Sequence, residues 1–264
     1  MKETYNQIRN FWDRKPCGTT HIPLATRTCQ YFIELDQLYM SLYPYLLPFM
    51  DLETIQGKRV LEIGIGSGFT LSRMAQVAKV CVGLDISIET LKLNQSRNEL
   101  FKIGTKLVLA SATHIPMPDN TFDVVVSIGC LHHIPDIDQA VSEIHRVLKP
   151  GGIFKGMVYN RNSYRFRIYI PLARRLSPTW RGKDRLSCVN EMYDGPGNPY
   201  GMVYSKKEMK ALLNRFKDIK FRRENFVDPE LLPKLGAYIP RRFWLATFGK
   251  ILGLDLYFFA RAVK

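Results

Sequence analysis

A chain of 264 residues, 46% of them hydrophobic, is long enough to bury a full α/β core, and its five scattered cysteines lack any Cys-x-x-Cys spacing, which argues against a disulfide scaffold or structural zinc. Cys17 and His21 stand close together but no second ligand pair follows, so no metal site is expected; no apolar stretch approaches the ~18 residues of a spanning helix, no signal segment is read at the start, and a reduced cytoplasmic protein is expected. The net charge of +14 is uneven: residues 1–156 carry +1 and residues 157–264 carry +13, which points to an anionic partner for the second part or to a plain solvated basic face.

Taken in order, Tyr5, Ile8, Phe11 and Trp12 fall near helical spacing over 3–14, and Pro16-Cys17-Gly18 breaks that helix. A second helical run covers 27–42, with Tyr31, Leu35, Leu38 and Leu42 on one face. Strand and helix patterns then alternate: strand 59–63, helix 68–78, strand 80–84, helix 88–101, strands 106–110 and 122–127, helix 136–148, strand 152–158. Such alternation implies a parallel sheet with helices on both faces, whose ligands bind at the C-terminal ends of the strands.

The first strand ends in Glu62-Ile63-Gly64-Ile65-Gly66-Ser67-Gly68. A strand, a glycine turn and a helix start together make a nucleotide cradle; a tight structural turn is the alternative. The dinucleotide fingerprint fails, because Phe69 stands where its third glycine belongs. Asp85 closes the second strand about 20 residues on, where an acid can accept hydrogen bonds from a ribose. After the third strand comes Ala110-Ser111-Ala112, after the fourth Ser127-Ile128-Gly129-Cys130-Leu131-His132-His133, and Leu148-Lys149-Pro150-Gly151-Gly152 leads into the fifth.

The set Val60-Leu61-Glu62-Ile63-Gly64-Ile65-Gly66-Ser67-Gly68, Leu84-Asp85, Phe122-Asp123, Leu131-His132-His133-Ile134 and Leu148 to Gly152 resembles class I S-adenosylmethionine-dependent methyltransferases, in particular the ubiquinone and menaquinone methyltransferases. The resemblance covers about residues 57–158. It implies a Rossmann-like, seven-stranded, mostly parallel sheet with an antiparallel last strand. It also implies S-adenosylmethionine as cofactor, with Glu62, Gly64, Gly66 and Gly68 at the methionine part, Asp85 and Ile86 at the ribose, Ser111 and Ala112 at the adenine, and Ser127 nearby. Ser111 replaces an aspartate that many relatives carry. A hydroxyl still accepts a hydrogen bond but offers no charge.

One methyltransferase domain over 1–264 is the resulting reading: an N-terminal helical cap (1–56), a cofactor-binding core (57–158), a basic aromatic insertion (159–204) and a C-terminal helix with the last strands (205–264). Within the insertion, residues 163–176 read as one helix, with Phe166, Ile168, Tyr169, Ile170, Leu172, Ala173 and Leu176 on an apolar side and Arg167, Arg174 and Arg175 opposite. It is read as a pocket lid, with contact at an anionic membrane surface as the alternative. Residues 194–199 read as irregular. Ser205 and Glu208 form a capping box for a helix to about Phe216, and 219–227 and 256–262 read as the last strands.

Methyl transfer from a sulfonium needs alignment first and a general base only where the acceptor must lose a proton. His132, His133 and Tyr159 are the catalytic candidates, but for each histidine a backbone-bonding role in the turn is preferred. Arg27 is a candidate partner for the cofactor carboxylate. The expected function is methyl transfer to a small-molecule or lipid-like acceptor. RNA or protein as acceptor, and a non-catalytic cofactor-binding role, are the alternatives; nucleic acid is not favoured because no Asn/Asp-Pro-Pro-aromatic run or RNA-binding module is found.

Overall fold

The computed structural model describes residues 2–19, 22–226 and 239–264. Seven strands form one sheet: β1 (Arg59–Ile63), β2 (Val80–Asp85), β3 (Thr105–Leu109), β4 (Phe122–Ile128), β5 (Leu148–Tyr159), β6 (Phe216–Glu224) and β7 (Asp255–Ala262). Their order is β3-β2-β1-β4-β5-β7-β6. Strands β1 to β5 pair in parallel, and β7 lies antiparallel between β5 and β6. This is the mostly parallel Rossmann-like sheet with an antiparallel last strand that the family resemblance implies.

Alternate residues of the central strands feed two cores, because successive side chains in a strand point to opposite faces. Leu61, Val82 and Val125 join one core with Ala140, Val141, Ile144 and Val147 of helix Ile137–Val147. Val60, Cys81, Val124 and Val126 join the other with Phe69, Leu71 and Met74 of helix Phe69–Ala75. The middles of β1, β2 and β4 are therefore mostly apolar, as burial on both faces requires.

The N-terminal helices Lys2–Arg14 and Cys29–Leu42 pack outside this frame. The second is pinned by Asp36, which accepts hydrogen bonds from Arg97 at 2.7 Å and Arg73 at 3.1 Å. It starts at Cys29 rather than 27, because Arg27 sits at φ 68° and the Thr28 hydroxyl caps the helix by accepting from the Tyr31 N–H. The buried Lys155 ammonium donates to the Met50 carbonyl at 2.6 Å and to Thr54 Oγ1 at 3.2 Å, tying the next turn to β5.

Three expectations change. The helix after the glycine turn ends at Ala75, since Val77 and Ala78 both donate to the Met74 carbonyl and close a tight turn. The insertion helix is split into a π-turn over Arg165–Tyr169 and an α-helix over Ile170–Leu176. Pro171 cannot donate to the Arg167 carbonyl, and the widened turn lies just ahead of it. The slip breaks the apolar side: Phe166 and Ile170 are buried with Tyr159, Cys188 and Val189, whereas Ile168 and Leu176 are exposed. The capping box of Ser205 and Glu208 is present, but its helix stops at Leu212, and Phe216 opens β6 by pairing with Ala262. Val227, the expected end of that strand, lies outside the described residues.

Candidate active site

The C-terminal ends of β1, β2 and β4 open onto one cavity of about 280 Å³. The glycine turn forms its floor, with Gly64, Gly66 and Gly68 at φ 74°, 48° and 78°. A Cβ at Gly64 would collide with Cys130, and one at Gly68 with Asn94. The turn therefore depends on bare backbone packed against the loop after β4 and against helix Ile88–Phe101. Asn94 holds it from behind, donating to the Gly66 carbonyl at 2.8 Å.

Two acids close this end. Asp85, the last residue of β2, accepts the Ile65 N–H at 3.0 Å and the Ser87 N–H at 2.9 Å. Burial raises its pKa to about 6 against the pull of these backbone donors. Glu62 is 1% exposed; one carboxylate oxygen accepts from the Thr70 hydroxyl, and the other has no partner. Burial pushes its pKa to about 8.

The opposite end is built from distant segments. His133 presents Nδ1 to the Tyr200 carbonyl at 2.9 Å, so that nitrogen carries the proton of the neutral ring. Its Nε2 has no hydrogen bond and lies 3.7 Å from Oδ1 of Asp194. The same carboxylate accepts the Tyr159 hydroxyl at 2.8 Å and the Asn198 amide at 2.9 Å. Lys15 donates to the Asp194 carbonyl at 3.0 Å, and the Trp12 ring meets the His133 ring edge-on at 5.3 Å. The first helix and the insertion thus meet over the cavity. Tyr5, Ile8, Trp12, Tyr39, Tyr43, Tyr193, Asp255 and Tyr257 complete its wall.

Of the residues read as cofactor-binding, Glu62, Gly64, Gly66, Asp85, Ile86, Ser111 and Ala112 line the cavity, and Gly68 and Ser127 do not. Ser127 is fully buried and donates to the Ile63 carbonyl at 3.1 Å. The Ser111 hydroxyl is engaged with Thr113 Oγ1 at 2.8 Å. Among the catalytic candidates His133 and Tyr159 reach the cavity. His132 does not: it is fully buried against Tyr159, with neither ring nitrogen bonded, and burial holds its pKa well below the ordinary histidine value. Arg27 pairs with Glu89 at 3.0 Å on the surface and is not part of the wall. Asp194, Asn198 and Asp255 escaped the sequence reading. The turn-rich run Asp194-Gly195-Pro196-Gly197-Asn198-Pro199 was the signal for the first two.

This sheet order, glycine turn and acid at the end of β2 define a class I methyltransferase fold. Residues 61–155 match the methyltransferase domain family. A fatty-acid O-methyltransferase of Mycolicibacterium smegmatis is 33% identical over 123 residues, 46% of this chain and 43% of that protein. A ubiquinone biosynthesis O-methyltransferase of Vibrio cholerae is 35% identical over 117 residues, 42% of this chain and 47% of that protein. The chain thus spans less than half the length of these curated relatives. The crystal structure of the YcgJ protein of Bacillus subtilis shares the fold at a TM-score of 0.57 and 18% identity, over 81% of this chain and 97% of that one.

The residues fit S-adenosylmethionine. The unpartnered oxygen of Glu62 suits an ammonium, and Asp85 is an acceptor set where a ribose diol can donate. Replacing Asp85 with Ala removes contacts of roughly 1.5–3 kcal/mol, so affinity for S-adenosylhomocysteine falls about ten- to a hundred-fold by calorimetry; unchanged affinity in a folded variant refutes the assignment. The acids also set a pH dependence. A carboxyl whose folded pKa is raised stabilises the fold below its unfolded pKa and loses that contribution as pH rises through the folded value. For Glu62 this window runs from its ordinary value of 4.5 to about 8. Ligand-free protein therefore melts lower at pH 8.5 than at pH 6, and Glu62→Gln flattens the difference; an equal slope in the variant contradicts this origin.

Proposed function

We propose that the chain transfers a methyl group from S-adenosylmethionine to an oxygen of a small, largely apolar acceptor. The observation that carries this reading is His133. Its protonated Nδ1 is held by a backbone carbonyl, its Nε2 accepts no hydrogen bond among the described residues, and its ring lines a cavity whose other end suits the cofactor. When bound, the cofactor supplies a methyl group on a sulfonium open to in-line displacement. An acceptor hydroxyl lying between that methyl and His133 passes its proton to Nε2. The imidazolium so formed faces the Asp194 carboxylate at 3.7 Å, which Tyr159 and Asn198 hold in place. Trp12, Tyr43, Tyr193 and Tyr257 exclude water and position an apolar body. The modest cavity favours a small molecule over RNA or protein, and the named activities of the O-methyltransferase relatives are in keeping with an oxygen acceptor.

Labelled S-adenosylmethionine with fractionated cell extract identifies the acceptor pool. With that pool, His133→Ala lowers turnover by about 10²–10⁴ and leaves S-adenosylhomocysteine affinity unchanged. His132→Ala stays within about tenfold, because its ring does not reach the cavity. Turnover retained in His133→Ala excludes the proton-transfer role.

Contact with an anionic bilayer is proposed for the outer side of the insertion. Ile168 and Leu176 are exposed beside Arg167, Arg174 and Arg175, whereas Phe166 and Ile170 face inward against Tyr159, Cys188 and Val189. No helix among the described residues is long and apolar enough to cross a membrane. Vesicles rich in phosphatidylglycerol should float the protein at low salt and vesicles of phosphatidylcholine should not. An Arg174→Ala/Arg175→Ala double variant that floats equally well rules this surface out.

A further inference from the structure

The cavity and the chain have opposite charge. The chain carries 38 Lys and Arg residues, yet among the described residues none lines the cavity, whose charged side chains are Glu62, Asp85, Asp194 and Asp255. Several basic residues of the C-terminal part are engaged elsewhere. Arg161 pairs with Glu208, Lys183 with Glu191, and Arg222 and Lys250 with Glu224. Arg241 donates to the carbonyls of Ser41 and Leu42. The basic insertion surrounds the cavity without facing it.

Three of the four acids already have work in the proposed reaction: Glu62 and Asp85 toward the cofactor, Asp194 beside His133. Asp255 has none. It opens β7 and pairs in antiparallel register with Tyr159 of β5, one two-residue step from the Met157–Tyr257 pair. Residues directly opposite in an antiparallel pair share a face of the sheet, which brings Tyr159, Asp255, Met157 and Tyr257 to the same cavity wall. Asp255 is 2% exposed, and no ion pair of 4 Å or less reaches it among the described residues. Asn225 hydrogen-bonds its carboxyl, the charge of Arg165 favours its ionised form, and Glu224 opposes its ionisation. Burial raises its pKa to about 7. A buried carboxyl group among tyrosine rings on the wall of a binding cavity suits a cation, through a charge-assisted hydrogen bond and the ring faces together. A carboxylate or phosphate on the acceptor would instead meet an acid of its own sign.

Resting on the methyltransferase reading, we propose that the acceptor carries a protonated amine, held by Asp255 with the Tyr43 and Tyr257 rings at its side, apart from the oxygen that is methylated. The substrate class is then an apolar or aromatic amino alcohol or aminophenol, and anionic acceptors such as free fatty acids are rejected.

The test uses three phenols of similar size, tyramine, 4-ethylphenol and 4-hydroxyphenylacetate, titrated at pH 7.5 into the full chain saturated with S-adenosylhomocysteine. Tyramine should bind at least tenfold more tightly than either of the others. Asp255→Asn should bring tyramine to within about threefold of 4-ethylphenol with S-adenosylhomocysteine affinity unchanged. Failure of tyramine to bind, equal or tighter binding of 4-hydroxyphenylacetate, or a tyramine preference that survives in Asp255→Asn overturns the proposal. The ranking on the unaltered chain decides the matter even if the variant does not fold. Failure of S-adenosylhomocysteine itself to bind overturns the methyltransferase reading first, and this one with it.

Discussion

Four carboxylates converge on one cavity, and no Lys or Arg among the described residues joins them there. Taking a carboxylate out of water is costly unless it gains hydrogen bonds, a proton or a counter-ion. Asp85 gains backbone N–H groups, and Asp194 gains a phenol and an amide. Glu62 keeps one oxygen unpartnered. Four acids and no Lys or Arg side chain among the described residues make this a site that suits a ligand bearing positive charge. The rest of the architecture serves this arrangement. The parallel sheet aims β1, β2 and β4 at one edge, and the antiparallel β7 brings Asp255 to that edge from the opposite direction.

Much of the cofactor half was legible in the sequence because its determinants are local. A five-residue apolar strand, three glycines at alternate positions and an acid one strand later lie within 27 residues, and each constrains the backbone next to it. The acceptor half was not legible for the opposite reason. Lys15 and Asp194 are 179 positions apart, and His133 and Tyr200 are 67 apart. Only the closed fold brings them together. The surplus of basic residues after 157 pointed to an anionic partner or a solvated basic face; among them Arg161, Lys183 and Arg241 pair with acids and carbonyls outside the cavity. Helical periodicity failed at 163–176 because a π-turn changes the residues per turn, and an amphipathic pattern drawn at 3.6 cannot register that slip.

The pair His132 and His133 shows how neighbours with the same chemistry are separated by a turn of backbone. Both lie in a 3₁₀ turn after β4. One ring is driven into the interior against Tyr159, where it is held neutral; the other is held by the Tyr200 carbonyl and lines the cavity. Trp12 covers that second ring from the first helix.

That first helix completes the cavity without joining the sheet. Tyr5, Ile8 and Trp12 form part of the cavity wall, and the polar ties that hold the helix in place are few: Asp13 accepts from Ser87 at 2.8 Å and from the Glu89 N–H at 3.3 Å, and the Tyr5 hydroxyl accepts the Asp136 N–H at 3.4 Å. Bonds of this kind contribute only about 0.5–1.5 kcal/mol each, and Ile8 and Phe11 are the helix's buried apolar anchors. One side of the cavity therefore rests on a handful of side chains, so its shape is set by residues that no strand of the sheet supplies.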